Sequence, residues 1–97
     1  MGYFLNKNII ISNVDESEAL LFDIERKKTW WVNQTVLFVL NMLKENPLEK
    51  EEIADRLYEE FEISIDEVEK DVNCLIRELL EEGIIYEEKE EIYKTTD

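Results

Sequence analysis

The spacing of apolar residues along the chain changes at Asn33, and this change constrains the fold more than any other feature of the sequence. The segments before Asn33 are short and rich in β-branched and aromatic residues, as β-strands are. They are Ile9–Val14, Ala19–Ile24 and Thr29–Val32. Because the polar links between them are short, we expect an antiparallel meander of three strands.

Apolar residues at helical spacing follow Asn33, which is a good N-cap. Val36, Leu37, Leu40 and Leu43 mark a first helix that is apolar nearly all round, which is typical of a central, buried helix. Pro47 cannot continue that helix. A second helix places one apolar face on Ile53, Ala54, Leu57, Tyr58 and Phe61.

A third helix has clear signals at both ends. Ser64 and Glu67 form a capping box, and Gly83 stands where a left-handed C-cap belongs. Its predicted buried stripe is Ile65, Val68, Val72, Leu75, Ile76 and Leu79. Since only Glu62 and Ile63 separate it from the second helix, the pair is typical of a helix-turn-helix.

The predicted fold class is therefore α+β, a winged helix-turn-helix-like domain with a three-stranded antiparallel sheet followed by three helices. We assign residues 1–86 to this domain and residues 87–97 to an acidic C-terminal tail or a short hairpin. Ile84–Tyr86 could pack on the core, and an extension of the third helix stays open.

The net charge of −14 is unevenly distributed. Residues 1–44 hold five acids and five bases, whereas residues 45–97 hold 20 acids and six bases. The third helix, which would enter a DNA groove in a winged helix, carries seven acids and two bases. Such a surface is repelled by phosphates, so we expect no nucleic-acid partner. The one basic cluster, Arg26-Lys27-Lys28, is interpreted as a solvated turn.

The residues that most enzymes need are missing. The chain has no histidine, a single cysteine (Cys74) and no glycine-rich phosphate loop. The sequence therefore predicts no catalytic residue, no metal site and no cofactor. It also shows no signal peptide and no apolar run long enough to cross a bilayer. We expect a cytoplasmic protein with no membrane partner.

The last strand of the meander, Thr29–Val32, should have one free edge. Such an edge accepts an extended peptide as an added strand, and two tryptophans lie on it. Alternation along the strand places Trp30 and Val32 towards the helices and Trp31 towards solvent. The alternative is that both tryptophans belong to the core and nothing binds there.

The junction Trp31-Val32-Asn33-Gln34-Thr35, after two β-branched strands and before an apolar helix, resembles the PqqD-like family of leader-peptide recognition elements. The resemblance extends through Glu52-Ile53-Ala54 and Leu57 and through the third helix from Val68 to Ile84. It covers about residues 9–86. The chain departs from the family pattern in lacking a glycine before the second helix and in its long acidic end.

The resemblance implies a non-catalytic winged-helix domain that binds the leader of a ribosomally made precursor peptide. The leader would lie as an added strand in a groove between the third strand and the third helix. The implied strand wall is Lys28, Thr29, Trp30, Trp31 and Val32. The implied helix wall is Val68, Asp71, Val72 and Leu75. Asp71 would accept a bond from the peptide; alternatively it is a solvated acid or pairs with Lys70 or Arg26.

The implied partners are the leader segment and a modifying enzyme of the radical, cyclase or protease type, with the chain itself a monomer or weak homodimer. Two alternatives from other classes stay open. One is an acidic winged-helix transcription factor with Ile84–Tyr93 as its wing. The other is a protein-docking module that dimerises through the same strand edge.

Overall fold

The computed structural model describes residues 2–87, which form five strands and three helices. The strands are β1 (Tyr3–Leu5), β2 (Ile9–Asn13), β3 (Glu18–Asp23), β4 (Lys28–Asn33) and β5 (Ile85–Glu87). The helices are α1 (Gln34–Glu45), α2 (Lys50–Glu60) and α3 (Ile65–Glu82). The predicted fold class is confirmed, since the antiparallel sheet β2-β3-β4 precedes the three helices.

Within residues 2–87, the three-stranded sheet has one covered face and one open face. In the register between β3 and β4, Ala19 lies opposite Val32 and Leu21 lies opposite Trp30. Ala19, Leu21 and Val32 are buried on the face that packs against α1. Because side chains alternate along each strand, the residues between them point to the other face.

A second sheet, which the sequence pattern does not predict, joins the two ends of the described chain. β1 pairs antiparallel with β5, with Tyr3 opposite Glu87 and Leu5 opposite Ile85. Tyr3 also exchanges backbone hydrogen bonds with Leu48, at 2.7 and 3.1 Å. Strands of three residues carry too little pattern to recognise, and these two lie at opposite ends of the sequence.

The third helix does not extend into the C-terminal region, because α3 ends at Glu82 and Ile85 begins β5. Ile84 and Ile85 are buried, as the prediction that this segment packs on the core requires. Glu87, the first residue of the predicted acidic tail or hairpin at residues 87–97, lies in β5. The rest of that segment, and most of the predicted wing, fall on residues 88–97 and lie outside the described residues.

The predicted helix ends are confirmed. The side chain of Asn33 accepts a hydrogen bond from the Val36 N–H at 3.0 Å, and Ser64 Oγ accepts one from the Glu67 N–H at 3.2 Å. Gly83 adopts the left-handed conformation with φ of 76°. α1 ends at Glu45, before Pro47. These local signals therefore define the helices without help from the rest of the fold.

The core lies between the helices and the inner face of the sheet. It holds the predicted residues of α1 and most of the predicted stripe of α3, including Leu40, Val72 and Ile76. Two assignments are wrong, since Tyr58 and Ile65 are largely exposed. Tyr58 is exposed because it is rotated by about 100° around the axis of α2 from the buried Leu57. Ile65 is the first residue of α3, at the end of the predicted stripe.

None of the helices in residues 2–87 combines the length and the apolar character that a bilayer crossing requires.

Candidate peptide-binding edge

β4 forms one edge of its sheet, and within residues 2–87 it pairs with β3 alone. The hydrogen bonds between β3 and β2 show which backbone groups of β3 face each neighbouring strand. The Ile24 N–H donates to the Asn8 carbonyl and the Val14 N–H donates to the Glu18 carbonyl, both at 3.0 Å. Even-numbered residues of β3 therefore direct their backbone groups to β2.

The odd-numbered residues of β3 must then direct their backbone groups to β4. Their partners across the register are Lys28, Trp30 and Val32. The residues between these partners, Thr29 and Trp31, consequently point their N–H and C=O groups away from the sheet. The edge of β4 thus offers two donors and two acceptors to another extended chain.

The side chains of β4 divide between the two faces as predicted. Val32 is buried, Trp30 is half-buried, and Trp31 is 59% exposed on the opposite face. The alternative that both indoles are sealed in the core is therefore wrong for Trp31. An exposed indole beside unpaired backbone groups is well placed to contact a bound chain.

The start of β4 is tied to the C-terminus of α3 through Glu82. The Trp30 indole N–H donates to Glu82 Oε1 at 3.2 Å, and Lys28 Nζ lies 3.7 Å from the same oxygen. Arg26 Nη2 donates to the Glu82 carbonyl at 2.7 Å. These bonds close one end of the space between strand and helix.

A buried carboxylate holds Arg26 in place for this connection. Asp23 Oδ1 accepts the N–H groups of Glu25 and Arg26 at 2.9 and 3.0 Å, and Oδ2 accepts the Arg26 Nε–H at 2.8 Å. The backbone bond from Arg26 is the main reason that the pKa of Asp23 is lowered. The basic cluster is therefore more than a solvated turn, since Arg26 and Lys28 both make specific bonds.

Helical spacing indicates which residues of α3 share the face of Glu82. Asp71, Leu75 and Glu78 precede it by 11, seven and four residues, which places them within about 40° of its direction. Leu75 is half-buried, and Asp71 and Glu78 are exposed. Asp71 makes no ion pair with the described residues, and Arg26 is committed to Asp23 and Glu82. The alternative pairing of Asp71 with Lys70 or Arg26 is therefore wrong.

The other two predicted residues of α3 lie deeper. Val68 and Val72 are each 1% exposed and belong to the core. Val72 also lines a cavity of about 190 Å³ between α2 and α3, together with Ala54 and Asn73. Both valines underlie the helix surface, whereas Asp71 and Leu75 reach it.

Asp23, Arg26 and Glu82 were not among the predicted site residues. The Asp-x-x-Arg spacing across a tight turn is a local signal for the first pair. Nothing local points to Glu82, because its partners Arg26 and Trp30 lie more than 50 residues away in sequence. In residues 2–87, no three His, Cys, Asp or Glu side chains converge as a metal site requires. Cys74 is exposed.

Two solved structures share this fold across most of the chain. One is described as "TbiB1 in Complex with the TbiA(beta) Leader Peptide"; it has a TM-score of 0.77 and 17% identity and covers 90% of this chain and 99% of that one. The other is "Lasso peptide synthetase B1 complexed with the leader peptide", with a TM-score of 0.73, 22% identity and coverage of 89% and 99%.

A search of curated protein sequences found no match. The family model described as coenzyme PQQ synthesis protein D (PqqD) matches residues 18–85, from the first residue of β3 to the first residue of β5. The match includes β4, α3 and the connection between them. Because it spans more than half of the sequence, the chain belongs to the PqqD family.

Proposed function

We propose that this protein is a non-catalytic recognition element that captures the leader of a ribosomally made precursor peptide and presents it to a modifying enzyme or protease. The observation that carries the proposal is the unpaired backbone of Thr29 and Trp31 on the edge of β4, beside α3. Membership of the PqqD family supports it. So does the fold shared with two proteins whose structures are described as leader-peptide complexes.

The leader binds as a fourth strand that hydrogen-bonds to Thr29 and Trp31. A net contribution of about 0.5–1.5 kcal/mol for each backbone bond leaves four such bonds short of the roughly 8 kcal/mol that micromolar affinity requires. Side-chain contacts must supply the remainder. On the outer face the Trp31 indole is available, and on the inner face Leu75 is half-buried and accessible.

Selectivity follows from the alternation of side chains along the bound strand. Leader residues that point towards α3 meet Leu75 flanked by the carboxylates of Asp71 and Glu78, a setting that favours apolar residues with lysine or arginine beside them. Trp30, Val32, Val68 and Val72 support this wall from beneath. Lys28 and Glu82 limit how far the leader extends at the start of β4.

The protein makes and breaks no bond in this role. By holding the leader it raises the effective concentration of the attached core peptide near the partner enzyme. The partner acts on the core peptide as a radical enzyme, a cyclase or a protease, and the assembly operates in the cytoplasm.

Calorimetry with the leader segment of the cognate precursor peptide tests the proposal. Thr29→Pro removes one edge N–H, whereas Thr29→Val retains it with a side chain of similar size. We expect Thr29→Pro to weaken binding at least about tenfold relative to Thr29→Val, since one bond and the close approach of the added strand are lost. Both variants should retain the wild-type circular dichroism spectrum, because that N–H does not serve the sheet.

Equal affinity of the two variants would show that the leader does not use this edge. Absence of any heat or chemical-shift change with the wild-type protein would contradict the proposal as a whole.

A further inference from the structure

We propose that two copies of this chain associate through the open face of the sheet β2-β3-β4, related by a two-fold axis. The outer face is defined by Ile10, Ser12, Leu20, Phe22, Thr29 and Trp31, together with Ile24, which follows β3 and donates its N–H to the Asn8 carbonyl. The inference concerns the side-chain face of the sheet rather than the backbone groups of the β4 edge; the two share the residues Thr29 and Trp31, but the inference does not depend on the proposed function.

The outer face is an exposed apolar patch. The register aligns Ile10, Phe22 and Thr29 in one row across the sheet and Ser12, Leu20 and Trp31 in the next. Ile10, Phe22, Ile24 and Trp31 are 52%, 38%, 46% and 59% exposed. These seven residues are uncharged, in a chain in which 37% of residues are charged. The next row, Glu18 opposite Asn33, is polar and forms the acidic border of the face. Contiguous apolar surface of this kind marks an interaction site.

Charge at the two ends of this face identifies a second copy as the partner. Lys7 precedes β2 and Lys27 lies in the turn between β3 and β4, so both are at one end of the sheet. Asp15 and Glu16 lie in the turn between β2 and β3, at the opposite end. The side chains of Lys7, Lys27, Asp15 and Glu16 are exposed and form no ion pair with the described residues. Glu25 is also exposed at the basic end, where it accepts a hydrogen bond from Asn8 Nδ2 at 2.9 Å, but the bases outnumber it there.

A two-fold axis that lies in the plane of the interface and perpendicular to the strands turns the two faces towards each other and reverses the direction of the strands in the second copy. The basic end of each copy then lies over the acidic end of the other, which is the self-complementarity that an isologous interface requires. The strands are five or six residues long, so the two ends are about 17–20 Å apart. The apolar rows lie between the two ends, so the row of Ile10, Phe22 and Thr29 in one copy faces the row of Ser12, Leu20 and Trp31 in the other.

The net charge of −14 opposes association, but its position limits the repulsion. The acids are concentrated in α2 and α3, and the helices cover the inner face of the sheet. In a face-to-face pair the helical layers are therefore on the outside, where salt screens their repulsion. The backbone groups of the β4 edge stay free in this arrangement, so a peptide could still be added to each sheet, but the Trp31 indole would be shared between the second copy and the peptide.

The expected dimer is weak. Three strands spaced about 4.8 Å apart present an area well below the roughly 800 Å² per partner of a stable interface. We therefore expect a monomer–dimer equilibrium that depends on concentration.

Sedimentation of the full chain over a wide concentration range tests the proposal. The mass should rise from that of an 11.7 kDa monomer towards twice that value. Phe22→Thr and Ile10→Thr, which keep β-propensity, should each raise the dimer dissociation constant about fivefold or more. Tyr58→Thr removes an equally exposed aromatic ring from α2 and should leave it unchanged. Circular dichroism confirms that each variant is folded.

Charge reversal separates specific pairing from general repulsion. Lys7→Glu and Glu16→Lys should each weaken the dimer, and the double variant should restore it because the pairs are exchanged. If only net charge mattered, Glu16→Lys would strengthen the dimer. A stronger dimer with Glu16→Lys would overturn the proposal. So would a monomer at every concentration, or equal effects of Phe22→Thr and Tyr58→Thr.

Discussion

At the scale of single residues, the C-terminus of α3 is the position where most of the long-range polar contacts meet. Asn6 is buried and donates through Nδ2 to the Gly83 carbonyl at 2.9 Å, while Arg26 donates to the neighbouring Glu82 carbonyl. These side chains satisfy carbonyls that a helix leaves without an internal partner. They also fix α3 relative to the hairpin that carries β4.

Gly83 is required here for two reasons, and Gly83→Ala tests them. Its φ of 76° is strained for other residues, and an added Cβ would lie 2.6 Å from Arg26 Nη2. We expect Gly83→Ala to lower the free energy of unfolding by at least about 1–2 kcal/mol, measured by urea denaturation. Gly83→Asn has the same Cβ but tolerates the left-handed region, so it should be less destabilising. Equal losses would assign the whole effect to the contact with Arg26.

Asp23 gives the fold a defined dependence on pH. Its pKa is lowered in the folded chain, first by the backbone hydrogen bond from Arg26. Its contribution to the free energy of unfolding is therefore present above the ordinary aspartate pKa of ~3.9. That contribution is lost as the pH falls through the lower pKa that Asp23 has in the folded protein. We expect Asp23→Asn to destabilise the protein at pH 7, with the difference from wild type shrinking below about pH 4.

Denaturation at several pH values measures this effect, with Asp55→Asn on the exposed side of α2 as the control for loss of one acid. A difference between Asp23→Asn and wild type that stays constant from neutral to acidic pH would contradict the assigned role of the carboxylate.

At the scale of elements, β4 combines two functions that its alternation keeps apart. Trp30 and Val32 bond to β3 through their backbones and direct their side chains to the interior. Thr29 and Trp31 have the opposite arrangement, with free backbone groups and outward side chains. The strand can therefore bind a further chain without giving up its own place in the sheet.

Amide hydrogen exchange tests this division directly. We expect the Trp30 and Val32 amides to exchange at least about tenfold more slowly than those of Thr29 and Trp31 in the free protein, because only the former are bonded in the ladder. Addition of the leader should slow exchange at Thr29 and Trp31. Slow exchange at both residues in the free protein would mean that the edge is already paired.

At the scale of the whole molecule, charge separates this domain from the DNA-binding proteins that a winged helix suggests. The third helix carries seven acids and two bases, and its exposed surface includes Asp71 and Glu78. Bringing that helix to a phosphate backbone would cost electrostatic free energy. The same acids are well placed to select a peptide with basic side chains.

A gel-shift titration at low salt checks this conclusion. We expect no complex with duplex DNA at protein concentrations up to about 100 µM, within the range where ordinary non-specific binding appears. A complex that weakens as salt is added would show that the charge of α3 does not decide the partner.

Local signals were enough to predict the strands β2, β3 and β4, the three helices and their caps. Asn33, Ser64 and Gly83 act on backbone groups within a few residues, so their effect can be predicted from the local sequence without knowledge of the fold. The outward direction of Trp31 was also predictable, because alternation along a strand follows once its neighbours are assigned inward. The nine predicted site residues remain proposals, although the structure shows that Val68 and Val72 lie beneath the surface.

Most of the strand and helix segments could be assigned from the sequence alone, because those choices depend on contacts between near neighbours. The folded structure was needed to show that β1 pairs with β5, that Glu82 meets Trp30 and Lys28, and that within residues 2–87 one apolar face of the sheet stays uncovered. Each of these depends on groups that are distant in the chain. Their pairing is set by how the helices pack on the sheet, and that packing leaves no mark in any local pattern.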